Sequence, residues 1–118
     1  MNEDMDGAAL IAAERARQSE RENYTPEHDD HHADGSLALA AVCYAAPERV
    51  FVMREFAAGV MYRDPWPWEE RADRRHYPGT NVVQPAPNRA ARVRELVKAG
   101  ALIAAEIDRL RRAEGNEP

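Results

Sequence analysis

Hydrophobic and polar positions alternate along this chain with mostly helical spacing. Residues 8–22 are rich in alanine, hold no Gly or Pro, and begin an apolar side at Leu10 and Ile11, followed by Glu14, Arg15, Arg17 and Gln18. This predicts a first helix with Asp6 as N-cap and Asn23 as a left-handed stop. Thr25-Pro26-Glu27 reads as a second start: Thr caps, Pro suits the first helical position, and acid favours the positive end of the dipole. Two readings continue from there. One is a single helix over residues 26–45 running through Gly35. The other is an Asp-rich loop leading to a shorter helix capped by Asp34. The continuous helix is the preferred expectation. In both, Leu37, Ala41 and Tyr44 share a face with Ala38, Val42 and Ala45, and Pro47 ends the element.

Residues 50–62 are ambiguous. Val50, Phe51, Val52 and Met53 suggest a strand, whereas Met53, Phe56, Ala57 and Val60 continue a helical stripe, and a short helix is the expectation. In Asp64-Pro65-Trp66-Pro67-Trp68 each proline forces its predecessor into an extended conformation. With Pro78-Gly79 and Pro85-Ala86-Pro87, this predicts a long loop over residues 63–87, a length that in compact domains is functional or disordered. The last element is the clearest. Asn88 caps a helix to about Arg112, with Val93, Leu96, Val97, Gly100, Ile103, Ala104, Ile107 and Leu110 in one stripe at 3.6-residue spacing. Lys98, Leu102 and Glu106 stack on the opposite side. Gly100 permits close helix approach, and Leu102 on a polar side points to a second contact surface. The expected fold class is all-α: a small helical bundle with a long Pro/Trp-containing loop, oligomeric through the C-terminal helix.

Composition narrows this picture. A chain of 118 residues fits one domain, with 1–6 and 113–118 expected as mobile tails. A net charge of −5 gives no global attraction to nucleic acid, and direct DNA binding is not expected. Charge is nonetheless uneven, acidic over residues 3–34 and Arg-rich over 71–112. The single cysteine, Cys43, excludes an intrachain disulfide and sits in an apolar run as a small core residue. The acidic N-terminus lacks the basic start of a signal peptide, and no apolar run reaches the roughly 18 residues needed to span a bilayer. A cytoplasmic location follows as an expectation.

Three groups of residues carry candidate chemistry. On a helix, His28 and His32 lie one turn apart, as do Asp30 and Asp34, and imidazole with carboxylate at that spacing suits a divalent ion, Mg or Mn above all. Glu14 and Glu106, on the first and last helices, are placed to add carboxylates, as in metal sites of helical bundles. The competing reading is a charged helix start and ordinary surface salt bridges. The third group, Trp66 and Trp68 followed by Arg71, Arg74, Arg75 and Tyr77, combines π faces with guanidinium groups, the means of stacking a base and holding phosphates. Its competing reading is a hydrophobic plug by which the loop covers the core.

Glu14-Arg15-Ala16-Arg17-Gln18, Tyr24-Thr25-Pro26-Glu27-His28-Asp29-Asp30, Gly35 with Leu37, residues 40–45, Trp66-Pro67-Trp68 and residues 96–107 together resemble a widespread set of short, uncharacterised phage and prophage proteins. The resemblance spans most of the chain apart from 48–62 and 75–91. It implies a phage gene product working in the bacterial cytoplasm. A weaker similarity is to all-α NTP pyrophosphatases of the MazG type, which bind Mg around a triphosphate through carboxylates on two helices. Here Gly35-Ser36-Leu37 lacks the glutamate of their Gly-Glu-Leu step, and Ala99-Gly100-Ala101 stands where a catalytic Asp is wanted. The leading expectation is therefore a phage accessory protein that binds a nucleotide-type ligand or a host defence component as an inhibitor or sequestering protein. Trp66, Trp68, Arg71, Arg74, Arg75 and Tyr77 would hold the ligand. The alternatives are a Mg-dependent nucleotide phosphohydrolase, with His28, Asp30, Asp34, Glu14 and Glu106 holding the metal, and a helical protein-binding module.

Overall fold

The computed structural model describes residues 5–21, 25–69, 72–75 and 87–115. Helix α1 spans Gly7–Arg21, α2 Pro26–Asp30, α3 Ser36–Ala45 and α4 Arg89–Gly115; strands β1, Val52–Phe56, and β2, Gly59–Arg63, lie between α3 and α4. Both outer helices start where their caps predict. The Ala9 N–H donates to Asp6 Oδ1 (2.9 Å) and the Ala91 N–H to Asn88 Oδ1 (2.8 Å), each satisfying a donor that the first helical turn leaves without a partner. Thr25 caps α2 likewise, its Oγ1 accepting from the His28 N–H (3.2 Å). Helix α4 continues through Gly115, so only residues 116–118 of the expected C-terminal tail, and 1–4 of the N-terminal one, lie outside the described residues. The expected stop at Asn23 lies outside them too.

The continuous helix over 26–45 is not formed. Helix α2 ends at Asp30, and Gly35 takes a left-handed φ of 84° immediately before α3. Asp34 then accepts from the Ser36 N–H (3.1 Å), and this bond holds its carboxyl below the usual carboxylate range. The Asp-rich loop with a second helix start is the observed arrangement.

The all-α expectation is overturned by residues 52–63, which form an antiparallel two-stranded sheet with Val52 opposite Arg63, Arg54 opposite Met61 and Phe56 opposite Gly59. The physical reason is legible afterwards. Val52, Arg54 and Phe56 fall on one face and Met53 and Glu55 on the other, a period of two. Gly59, at φ 139°, supplies the backbone freedom needed just after the Ala57-Ala58 reversal, and a helical stripe through Val60 would have to pass that glycine.

Helix α4 is the spine, against which α1 and α3 pack along their lengths and α2 near its C-terminal end. The core joins Leu37, Ala40, Ala41 and Tyr44 of α3 to Ala99, Leu102 and Ala105 of α4, with Trp66 and Trp68 packed against it. This reverses the expected orientation of α4. Leu102 is 2% exposed, whereas Leu96, Ile103, Ile107 and Leu110 are each about half exposed. Two alanine-lined helix faces can approach closely and fill the space between them densely, and the bulkier stripe is left outside that contact. Leu102 is indeed a second contact surface of α4, but its contact is with α3 of the same chain rather than with another copy; the outward apolar residues of α4 are the four just named. The Gly100 expectation is met from α1, because Ile11 covers the glycine so closely that a Cβ there would stand 2.5 Å from Ile11 Cδ1. Arg92, in the first turn of α4, donates from Nη1 to the carbonyls of Tyr44 (3.0 Å) and Ala46 (3.2 Å) and from Nη2 to that of Ala45. It thereby satisfies the C-terminal end of α3 and favours its dipole.

Candidate functional site

The segment after β2 is fixed by a buried ion network. The Arg75 guanidinium, 7% exposed, bonds both Asp73 oxygens and Asp64 Oδ2 (2.9 Å), and Asp64 Oδ2 also accepts from Arg49 Nη1 (2.6 Å). Burial works against the Arg75 charge, but the bonds to Asp73 and Asp64 outweigh it and raise its pKa. Burial likewise raises the Asp64 carboxyl, and its bonds from Arg75 and the Trp66 N–H carry it below the ordinary value. Asp64 Oδ1 accepts that Trp66 N–H (3.0 Å), an Asx-type turn that launches the Trp-Pro-Trp segment in a set direction. Arg75 also lies over the Trp66 ring, 5.3 Å from its centroid.

The two indoles meet edge to face at 5.5 Å, and Trp66 meets Tyr44 the same way at 5.6 Å. On the far side Trp68 faces His32 (5.1 Å), which meets His28 (4.8 Å). The Tyr44 hydroxyl accepts from the Arg74 N–H (2.9 Å), tying this loop to α3. Trp66 Nε1 donates to the Glu69 carbonyl (3.1 Å). Loop and core are thus one packed unit, which agrees with the plug reading as far as packing goes.

The unit is not closed. A cleft of about 610 Å³ lies between α1, α4 and this loop, lined by Glu14, Arg17, Gln18, Tyr44, Trp66, Trp68, Ala72, Arg74, Lys98 and Leu102. Its size falls in the range of small-molecule sites. A smaller hollow of about 140 Å³, lined by Arg74, Ala91, Arg94, Glu95 and Lys98, shares Arg74 and Lys98 with it. Lys98 Nζ lies over the Tyr44 ring, 5.9 Å from its centroid, so cationic and aromatic groups adjoin in the cleft. Arg17 bonds Glu14 bidentately (2.8 and 2.7 Å), and Gln18 Nε2 donates to Glu14 Oε2 (3.1 Å). Burial raises the Glu14 carboxyl, but the Arg17 bonds and charge, with Gln18 and Lys98, bring it below its ordinary value, so it is a carboxylate. With Arg17, Arg74 and Lys98 against Glu14, the lining is net cationic among the described residues.

Of the expected ligand-binding residues, Trp66, Trp68 and Arg74 meet in this cleft. Arg75 is turned away into its ion network, and Arg71 and Tyr77 lie outside the described residues. The expected metal ligands do not converge. Glu14 is bonded to Arg17 and Gln18; Asp30 Oδ1 accepts from Arg112 (2.8 Å); Asp34 accepts from the Ser36 N–H; Glu106 accepts from Arg109; and His28 meets His32 edge to face. Among the described residues no three His, Cys, Asp or Glu side chains stand close enough to share a metal ion. The donor set therefore does not fit Mg or Mn. The buried acid of the cluster is instead Asp29, fully enclosed and bonded to Arg15 (3.0 Å), an ion pair between α1 and α2.

Arg17, Gln18, Tyr44 and Lys98 are the lining residues that sequence reasoning missed. For Arg17, Gln18 and Lys98 the only sequence signal is a polar position one or two residues from an apolar one, which every amphipathic helix shows, and Tyr44 reads as a member of the apolar face of its helix. Cys43 is buried, and burial pushes its thiol up, as fits a core residue. No helix among the described residues is long and apolar enough to cross a membrane. None of the family models, curated proteins or solved structures compared with the chain matches it.

Proposed function

We propose that the chain is a phage-encoded accessory protein of the host cytoplasm that binds and sequesters a nucleotide-type ligand in the cleft beside the Trp-Pro-Trp loop. The observation that carries this reading is the placement of Tyr44, Trp66 and Trp68 in the same cleft as Arg74 and Lys98. A flat heteroaromatic ring gains stacking energy on an indole face, on the order of 1–3 kcal/mol per base. Arg74 and Lys98 would neutralise phosphate, and Arg94 of the adjoining hollow extends the positive charge. Two indoles held by the Asp64 turn, the prolines and the Arg75 network lose little freedom on binding, which favours affinity. Binding without hydrolysis is preferred because the acidic residues that a phosphohydrolase would need are each bonded elsewhere.

The test uses tryptophan fluorescence, since Trp66 and Trp68 are the chain's two tryptophans. Titration with ATP, AMP and inorganic phosphate is expected to quench and shift emission for the nucleotides, with affinity falling as salt rises. Arg74→Ala is expected to weaken binding at least tenfold with unchanged folding, because an exposed arginine contributes little to stability. Arg75→Ala is expected to cost roughly 3–5 kcal/mol of stability, by leaving Asp73 and Asp64 without their shared cation. Nucleotide recovered intact after incubation with Mg supports sequestration. Release of phosphate, or a spectrum unmoved by millimolar nucleotide, would overturn the reading.

A further inference from the structure

The β1–β2 hairpin packs on little of the rest of the described chain. Met53, Phe56, Val60, Met61 and Tyr62 are all more than half exposed, Tyr62 at 67%. A lone two-stranded hairpin is marginal in water; a third strand or a covering layer is needed to stabilise it. Among the described residues neither edge carries one.

The two edges differ. Natural sheets guard an exposed edge with charged side chains, proline or a bulge. β1 has Arg54 and Glu55 in its middle, whereas β2 reads Gly59-Val60-Met61-Tyr62-Arg63 and has no charge before its last residue. Because Phe56 and Gly59 flank a two-residue turn, they form a hydrogen-bonded pair, and the ladder then alternates. Met61 and Arg63 therefore bond inward to Arg54 and Val52. Val60 and Tyr62 turn their N–H and C=O groups outward.

We infer that β2 is a docking edge for a second copy of this chain, the two β2 strands pairing antiparallel about a two-fold axis at Met61 to make one four-stranded sheet in the order β1-β2-β2-β1. The register that overlaps the whole strand sets Val60 opposite the partner's Tyr62, and these are the residues with outward backbone groups, so each such pair exchanges two hydrogen bonds. Val60 against Tyr62 is a β-branched–aromatic pair of the stabilising kind. Arg63 falls opposite Gly59, which has no side chain to repel or crowd it. The two Met61 residues meet on the axis as a non-hydrogen-bonded pair, where side chains come closest. The same full-length pairing through β1 would instead set Arg54 opposite Arg54 in that close position, a like-charge contact. Self-pairing through β2 thus meets its outward backbone groups without setting like charges opposite each other, whereas through β1 it sets Arg54 against Arg54. It joins Met53, Val60 and Tyr62 on one face to their symmetry mates. A two-fold dimer is also the commonest closed assembly.

The test is the mass of the full chain in solution by light scattering at micromolar concentration. The wild type is expected at twice its 13.3 kDa chain mass. Met61→Lys and Met61→Glu, each placing like charges together on the axis, are expected at the monomer mass with an unchanged helical circular dichroism signal, because Met61 is 61% exposed and its side chain adds little to the fold. An equimolar mixture of the two is expected to regain the dimer mass. Val60→Pro, which removes an outward N–H and spares the inward ladder, is expected to be monomeric as well. A monomeric wild type, an open series of larger species, or variants that keep the dimer mass would each overturn the inference, the last by placing the contact elsewhere, as on the outward stripe of α4.

Discussion

His32 shows how a single residue takes its properties from neighbours distant in sequence. Its ring lies between His28 and Trp68, and burial there, aided by the neighbouring His28, keeps its pKa below the ordinary imidazole value of 6.5. The folded protein therefore binds this proton less readily than the unfolded chain. The stabilisation is present above pH 6.5 and is lost as pH falls through the lower folded value. The lowered carboxylates Glu14, Asp34 and Asp64 act only further down, below their ordinary values of 4.5 and 3.8. Urea unfolding at pH 7.5 and 5.5 is expected to show a loss of stability in the wild type that is smaller in His32→Asn. An equal loss in both would assign it to other groups. His28 and His32 were legible in the sequence as a pair one turn apart. Their packing on Trp68 was not, because 36 residues separate the partners.

At the scale of elements, caps were readable and continuity was not. Asp6, Thr25 and Asn88 act through hydrogen bonds to residues three ahead, a purely local event. The break at residues 31–35 depends on Gly35 adopting φ 84°, which a glycine permits without enforcing. Gly35→Ala is expected to cost about 1 kcal/mol for the left-handed backbone, whereas Gly35→Asn, which tolerates that conformation better, is expected to cost less. Thermal denaturation of the two variants checks this, and equal stability of Ala and Gly would show that the break does not depend on the left-handed residue. The hairpin raises the same difficulty in another form. Residues 50–62 satisfy both a strand and a helix pattern over so short a stretch, and the reversal at Ala57-Ala58 decided between them.

For the whole molecule, the issue is which side of α4 faces inward. Large apolar residues form the more conspicuous stripe, yet the inward face is Ala91, Ala99, Ala101, Leu102 and Ala105. Leu102→Ala is therefore expected to cost about 3 kcal/mol or more, as truncations at enclosed core sites do. Ile107→Ala, at a site 52% exposed, is expected to cost well under half as much. Chemical denaturation of both variants at low protein concentration checks the order, and the reverse order would restore the orientation that hydropathy alone suggests.

The starts of α1, α2 and α4, the burial of Cys43 and the close approach at Gly100 could be read from the chain before it was folded. Each rests on local hydrogen bonding, on helical propensity, or on side chains too apolar to leave in water. Folding was needed to settle that 52–63 is a hairpin, that Trp66 and Trp68 pack on the core, that Leu102 is inside and Ile107 outside, that Arg75 holds Asp64 and Asp73, and that Arg17, Gln18 and Lys98 line the same cleft as the indoles. Those outcomes depend on which surfaces meet. Close packing of two alanine faces and pairing of buried charges are properties of a contact between segments, and no segment's own pattern contains them.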